Sequence, residues 1–351
     1  MYGPDGTLIR KIDTITGDTT YVPNDWPYYH NISGTSFSTP IVAGVAALIK
    51  SINPCLAPED VQTILKSTTD TIVDASSYVG TIGTGRLNAY KAVKLAYESY
   101  SFQNYTIQSG ENLTWNDVHF IDTLYLEPNS SLTINENCFF NAGGHILIDT
   151  LAKLNVNNAT LTTTCHNMWY GIQVWGKTEA SQYPDASYNY IQGRLVLNNA
   201  TIKNAYEAVS LWKDGDFSST GGYVIAENST FINNRRSVAF MSYHNYHPIS
   251  LNPDRNFSRF ENCDFTVNED YLGDSPFHGM VSLWDVEGVI FQGCDFINNR
   301  DSIYSSTGNL INDSLSGFGL WSVNAGFEVG SRCCSQVYPC PAQDVDSSRF
   351  E

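Results

Sequence analysis

The sequence predicts a mixed fold. A helix-bearing first part, residues 1–98, precedes an all-β solenoid over residues 99–351, and a right-handed parallel β-helix fits the second part best. Three observations predict it. Helical apolar periodicity is confined to the first hundred residues. Beyond them, short alternating runs bounded by Asn, Gly and Asp repeat one pattern of small and large apolar positions. The composition, with 21 Tyr and 13% aromatic residues, favours strands and tight turns over a helical bundle.

The first helix follows Gly34-Thr35-Ser36-Phe37-Ser38-Thr39-Pro40 and reads Ile41-Val42-Ala43-Gly44-Val45-Ala46-Ala47-Leu48-Ile49-Lys50. Apolar residues cover nearly every side, so it is expected to be buried all round. A second helix starts at Pro58, a favoured first-turn residue, with Glu59 and Asp60 at its positive end and Val61, Ile64 and Leu65 as its stripe. A third runs from about Asn88 to Glu98, with Ala89, Ala92, Val93 and Ala96 on one face.

In the second part a unit recurs at Asn158-Ala159-Thr160-Leu161, Asn199-Ala200-Thr201-Ile202, Asn228-Ser229-Thr230-Phe231, Asn262-Cys263-Asp264-Phe265 and Gly293-Cys294-Asp295-Phe296. With the small residue as position zero, −5, −3, 0 and +2 are the inward positions, Ser258 being the polar exception at −5. Inward parity switches between −3 and 0, which a straight strand cannot do. Asn at −1 tolerates the left-handed conformation that a bend needs. Val209, Val238 and Ile303, nine residues after position zero, are expected to start a further short strand. Length variation falls in loops 177–192, 213–222 and 242–256. The last residues, Ser348-Arg349-Phe350-Glu351, repeat Ser258-Arg259-Phe260-Glu261. That match assigns Phe350 to position −3 and predicts a chain truncated inside a coil.

Cys263 and Cys294 fill position zero and read as buried thiols packed as small apolar groups. Cys333, Cys334 and Cys340 lie in a loop at 330–345 that permits a disulfide; no Cys-x-x-Cys spacing indicates zinc. His244 and His247 lack helical ligand spacing, and Asp214-Gly215-Asp216 lacks the EF-hand pattern. No metal and no cofactor are expected in this chain. The Asn-x-Ser/Thr sequons at Asn158, Asn199 and Asn228 coincide with the bend and are explained by it. The net charge of −17 argues against nucleic acid as a partner. No apolar run approaches bilayer length, so no membrane span is expected, and no signal peptide is visible at Met1.

A serine at the start of an apolar helix has its N–H at the positive end of the helix dipole, where it can face a developing oxyanion. Helix N-capping by Thr35, Ser36 or Ser38 is the commoner use of such residues. The string Gly34 to Leu48, however, closely resembles the nucleophile segment of the subtilisin-like serine peptidases over some 15 positions. The Pro58 helix and Gly83-Thr84-Gly85-Arg86-Leu87-Asn88-Ala89 extend the resemblance over residues 1–98. It implies the C-terminal part of an α/β subtilisin-like domain. Ser36 would be the nucleophile and one oxyanion donor, and Gly34 and Thr35 the backbone along which substrate approaches. The substrate would be a polypeptide.

The family's triad runs Asp, His, Ser, yet only 35 residues precede Ser36. They hold one histidine, His30, outside the family's setting, and Asn24 and Asn31 are poor matches to the oxyanion Asn. The chain is therefore expected to start inside a peptidase domain and, lacking a general base, to be nearly inert by itself. Calcium would belong to the missing part. The resemblance implies a secreted or cell-surface bacterial protein.

Two other readings concern the β-helix. One is a carbohydrate-active enzyme, for which paired carboxylates are wanted; Asp264 and Asp295 share one outward position, but Thr fills it elsewhere, and Arg235, Arg236 and Arg300 lack a carboxylate array. The other is a binding or adhesion module, in which Trp175, Trp212, Tyr243, Tyr246 and Trp284 contact a carbohydrate or a cell surface.

Overall fold

A computed structural model describes residues 8–13, 15–23, 35–53, 56, 58–73, 83–98, 102–164, 167–185, 187–273, 277–300, 303–304, 310–312, 317–335 and 339–351. The chain divides into two compact units, Met1–Tyr97 and Glu98–Glu351.

Among the described residues the first unit holds an antiparallel pair, Leu8–Ile12 with Thr19–Pro23, and three α-helices: α1 (Ser38–Ile52), α2 (Pro58–Ser67) and α3 (Ala89–Glu98). The hairpin turn is held by Asp13, whose Oδ1 accepts from the Ile15 and Thr16 N–H groups at 2.8 and 3.1 Å. Val61 and Ile64 of α2 and Ala92 and Ala96 of α3 are buried, as their spacing predicts. α1 departs from expectation. Only Val45 and Ile49 are buried, while Ile41 is 61% and Leu48 52% exposed. An apolar helix goes under cover only where another element reaches it, and among the described residues one face alone is reached.

Asn88 organises the start of α3. Its Oδ1 accepts from the Lys91 N–H at 2.9 Å, a helix cap, and its Nδ2 donates to Asp70. Gly85 (φ +144°) lets residues 84–86 close over Asp70; a Cβ there would stand 2.5 Å from the Asp70 carbonyl oxygen.

The second unit is mostly parallel β-sheet, a solenoid-like stack. One wall has eight parallel strands: Asn112–Trp115, Ser131–Ile134, Lys153–Asn157, Arg194–Asn198, Tyr223–Glu227, Arg259–Glu261, Glu287–Gln292 and Gly326–Gly330. A 14-stranded sheet supplies the rest of each coil. One run of it comprises Thr160–Thr163, Thr201–Lys203, Thr230–Ile232, Asp264–Val267, Asp295–Asn298 and Arg349–Phe350. Another comprises Trp169–Val174, Ala205–Ser210, Arg236–Ala239, Gly279–Trp284 and Leu320–Val323.

The bend lies where parity requires it. Asn158, Asn199, Asn228, Asn262 and Gly293 have φ between 50° and 59°. Their side chains form a partial ladder, Asn199 Nδ2 to Asn158 Oδ1 at 2.8 Å and Asn262 Nδ2 to Asn228 Oδ1 at 2.7 Å. In parallel register the inward residues form columns. Phe231, Phe265, Phe296 and Phe350 stack with ring centroids 4.7–4.9 Å apart, and Phe260 lies 4.9 Å from Phe291. That distance is the strand spacing itself, so backbone pairing and ring stacking reinforce each other. Ser258, the polar exception, is fully buried; its Oγ accepts from the Val224 N–H at 3.2 Å.

Two expectations of phase fail. Ile303 is not in the stack: Ile303–Tyr304 pairs antiparallel with Leu310–Asn312, and Val281 and Leu320 continue the Val209–Val238 row. Phe350 pairs with Phe296, so it fills +2 and not −3; Val329 fills −3 beside Phe291. Ser348 is then the residue at position zero. Its Oγ accepts from the Cys294 N–H and donates to the Gly330 carbonyl, both at 2.9 Å. Ser229 makes the same two bonds, accepting from Ala200 N–H and donating to Glu227 O. Residues 331–347 are an insertion at the bend, closed by the Cys333–Cys340 disulfide. The four-residue match misled because Ser serves at both −5 and 0.

Candidate active site

Ser36 sits in a single 3₁₀ turn, Thr35–Phe37, that runs directly into α1. Thr35 and Ser36 are exposed. Phe37 occupies the N-cap position and, among the described residues, no side chain caps the helix; the first turn also lacks an acidic residue. Gly34, His30, Asn24 and Asn31 lie outside the described residues.

Asp70 is the most strongly held carboxylate among the described residues of this unit. The Lys91 ammonium at 2.8 Å, with the Asn88 amide and Arg86 beside it, keeps its pKa down to about 2. It is an ionised clamp between the end of α2 and the start of α3 rather than a proton acceptor.

In the second unit Cys138, Cys263 and Cys294 are free and buried. Burial pushes the Cys138 thiol up to about 12, and the neighbouring Cys294 thiol together with burial pushes Cys263 up, which suits packing rather than nucleophilic chemistry. Asp295 is paired with Arg349. The Asp264 carboxyl is pushed up by burial and by Asp295 one rung along. His244 lies 3.6 Å from Asp285, while His247 Nδ1 accepts the Ile249 and Ser250 N–H groups of its own turn. Asp216 holds the turn at Ser218. Among the described residues there is no group of three or more His, Cys, Asp or Glu placed to hold a metal.

The aromatic residues singled out in the sequence turn out mostly to fix loops. Trp212 and Tyr243 are buried; Tyr243 donates to the Ala180 carbonyl and Tyr246 to the Glu179 carbonyl. Trp175 lies under the Lys213 ammonium, 4.5 Å from its ring centroid. Trp284 is exposed, beside Trp321. A cleft of about 380 Å³ instead has Tyr183, Tyr190, Tyr223 and Phe257 on its walls. Its signal in the sequence was the tyrosine cluster inside loop 177–192, adjacent to Arg194.

Against the expectation that no apolar run approaches bilayer length, the segment Thr35–Ile52 is by length and composition apolar enough to cross a bilayer. The core helix of a soluble protein passes the same test.

The subtilase family matches residues 6–97. Serine protease AprX of Bacillus subtilis (strain 168) is 45% identical over 65 residues, 18% of this chain and 14% of that protein. The extracellular protease of Xanthomonas campestris pv. campestris is 44% identical over 69 residues, 19% of this chain and 12% of its own length. A calcium-dependent protease of Trichormus variabilis is 39% identical over 87 residues, 23% and 13% of the two chains. The chain thus spans only 12–14% of the length of these relatives. No solved structure matches the chain. Residues 6–97 are thus similar to the subtilase family and to these proteases.

Proposed function

We propose that this chain is the nucleophile-bearing part of a secreted, bacterial subtilisin-like serine endopeptidase, joined to a right-handed parallel β-helix used for binding. The observation that carries the reading is Ser36, exposed in the uncapped turn before α1 within Gly-Thr-Ser-x-Ser-Thr-Pro. The boundary between the peptidase part, 1–98, and the β-helix, 99–351, follows from the same reading.

In the complete enzyme Ser36 Oγ attacks the scissile carbonyl while its proton passes to a histidine. The Ser36 N–H and the helix end stabilise the oxyanion. Collapse expels the amine, which takes the proton from that histidine, and leaves an acyl-enzyme on Ser36. Water then releases the acid and restores the hydroxyl. Gly34 and Thr35 lie along the substrate backbone. The described residues supply neither that histidine nor its aspartate, and they leave Ile41, Val42, Leu48 and Ile52 of α1 exposed. The substrate is a polypeptide, and the relative named an extracellular protease supports action outside the cell.

The test is labelling with a fluorophosphonate. A full-length enzyme should be labelled at Ser36, and Ser36→Ala should abolish labelling and lower kcat on the order of 10⁶-fold, the magnitude being that of subtilisin itself. Residues 1–351 alone should hydrolyse casein no faster than buffer. Equal labelling of the alanine variant overturns the assignment.

A further inference from the structure

We propose that the cleft between loops 177–192 and 242–256 is a saccharide-binding site that holds a pyranose ring of a polysaccharide chain without cleaving it. The proposal rests on the reading of the β-helix as a binding platform and is independent of Ser36.

The cleft lies on the outer face of the eight-stranded wall. Its floor includes Ile225 and Ile290, which alternate outward in strands whose inward residues are core. Phe257 packs edge to face against Tyr183 at 4.8 Å and against Tyr223 at 5.8 Å. Tyr190 lies under the Arg194 guanidinium, 4.2 Å from the ring centroid. A sugar ring presents C–H groups on its faces and hydroxyls at its rim. Aromatic walls with polar tips match that distribution.

The walls are preformed, which lowers the ordering cost of binding. Gln182, fully buried, donates from its N–H to Asn245 Oδ1 at 2.9 Å and from Nε2 to the Gly221 carbonyl at 3.0 Å. Its Oε1 accepts the Phe257 N–H at 2.7 Å. Gln192, also fully buried, ties Lys177 and Ala180 together. Tyr183 donates to Asp254 at 2.7 Å, which fixes its ring plane. Two long loops are thereby held as one surface by buried amides.

The polar groups at the cleft face a ligand. Arg255 is exposed and, among the described residues, its guanidinium makes no ion pair, so five N–H donors are open to hydroxyls or to a uronate carboxylate. Arg259 is held between Glu227 and Glu261 at 3.4 and 3.3 Å. A peptide is the poorer occupant. The backbone groups of the floor strands are already paired in the parallel ladder, which leaves an extended chain no sheet edge to join. The described lining residues include no carboxylate, whereas glycosidic hydrolysis needs a positioned pair.

The experiment is affinity electrophoresis of residues 1–351 in native gels cast with xylan, a mixed-linkage β-glucan or polygalacturonate. At least one gel should retard the chain, without release of new sugar ends. Tyr190→Ala and Arg255→Ala should each weaken retardation about tenfold or more. Polygalacturonate as ligand would make Arg255→Ala the larger loss, a neutral glycan Tyr190→Ala. Tyr188→Ala, 84% exposed and outside the cleft, should stay within about twofold of the parent. Circular dichroism of each variant shows that the fold persists. Retardation by none of the three, retardation unchanged in folded Tyr190→Ala and Arg255→Ala, displacement by casein peptides but not by sugars, or cleavage of the polysaccharide would each overturn the proposal. Ser36→Ala should bind as the parent does, so loss of Ser36 labelling and loss of glycan binding report on separate readings.

Discussion

Phe265 and Leu48 are both large apolar residues in regular elements, yet Phe265 is fully buried and Leu48 is 52% exposed. The difference separates the two units. In the solenoid-like unit each coil covers the next, and the cover for Phe265 is Phe231 on one side and Phe296 on the other. Such a unit supplies its own core from neighbours a few tens of residues away. In the helical unit, α1 is apolar all round but is covered only at Val45 and Ile49. Repetition makes burial local, whereas a helix-based core depends on partners from distant sequence.

The largest expected effect tests that contrast directly. Phe265→Ala removes the middle of a four-ring column and should destabilise the second unit by about 3–5 kcal/mol. Leu48→Ala should cost less than about 1 kcal/mol. Urea unfolding of both variants, with helical and β signals followed separately, checks the difference, and equal losses would break the comparison. Gly85→Ala should cost about 1–3 kcal/mol, because φ is +144° and the new Cβ meets the Asp70 carbonyl. The loss should appear in the helical signal alone.

Asn228→Ala should cost the second unit about 1 kcal/mol, since alanine enters the left-handed region at φ 50° without a ladder partner. Asn228→Gly should cost less, because glycine accepts that backbone freely. Equal cost for the two variants would indicate that the side-chain ladder, not the backbone angle, matters at the bend.

The smallest effect is one of pH. The Asp70 carboxyl is lowered in the fold, so the stability it contributes is present above the ordinary carboxylate range near 4. It is lost as pH falls toward about 2. Helical circular dichroism in that window should fall more in the parent than in Asp70→Asn, which has no proton to take up. An identical acid transition in both would remove Asp70 from the account.

Legibility differed from residue to residue. The bend at Asn158, Asn199 and Asn228 could be read because a parity switch at a fixed place has one backbone solution. The coils before residue 150 were not read as repeats, although Leu113, Leu132 and Leu154 stand in one row. Cys138 pairs with Leu161, a +2 residue, four residues after Ile134, whereas five separate Val156 from Leu161. A one-residue change in the bend erases the sequence period while leaving the stack intact. At the candidate site Ser36 was legible from its string, but the absence of a side-chain cap was not, since Thr35, Ser36 and Ser38 all had the chemistry to cap.

The sequence alone determined the helix order, the inward positions of five coils and the burial of Cys263 and Cys294, because each depends on local spacing; the proposal of Ser36 as nucleophile rests on a contiguous string. Only the tertiary structure decided that Phe350 stacks on Phe296, that Tyr243 cements a loop and that Tyr183, Tyr190 and Tyr223 share a cleft. Those facts turn on which loops of unequal length meet. Their meeting is arranged by buried amides such as Gln182 and Asn245, whose partners lie tens of residues apart and leave no period along the chain.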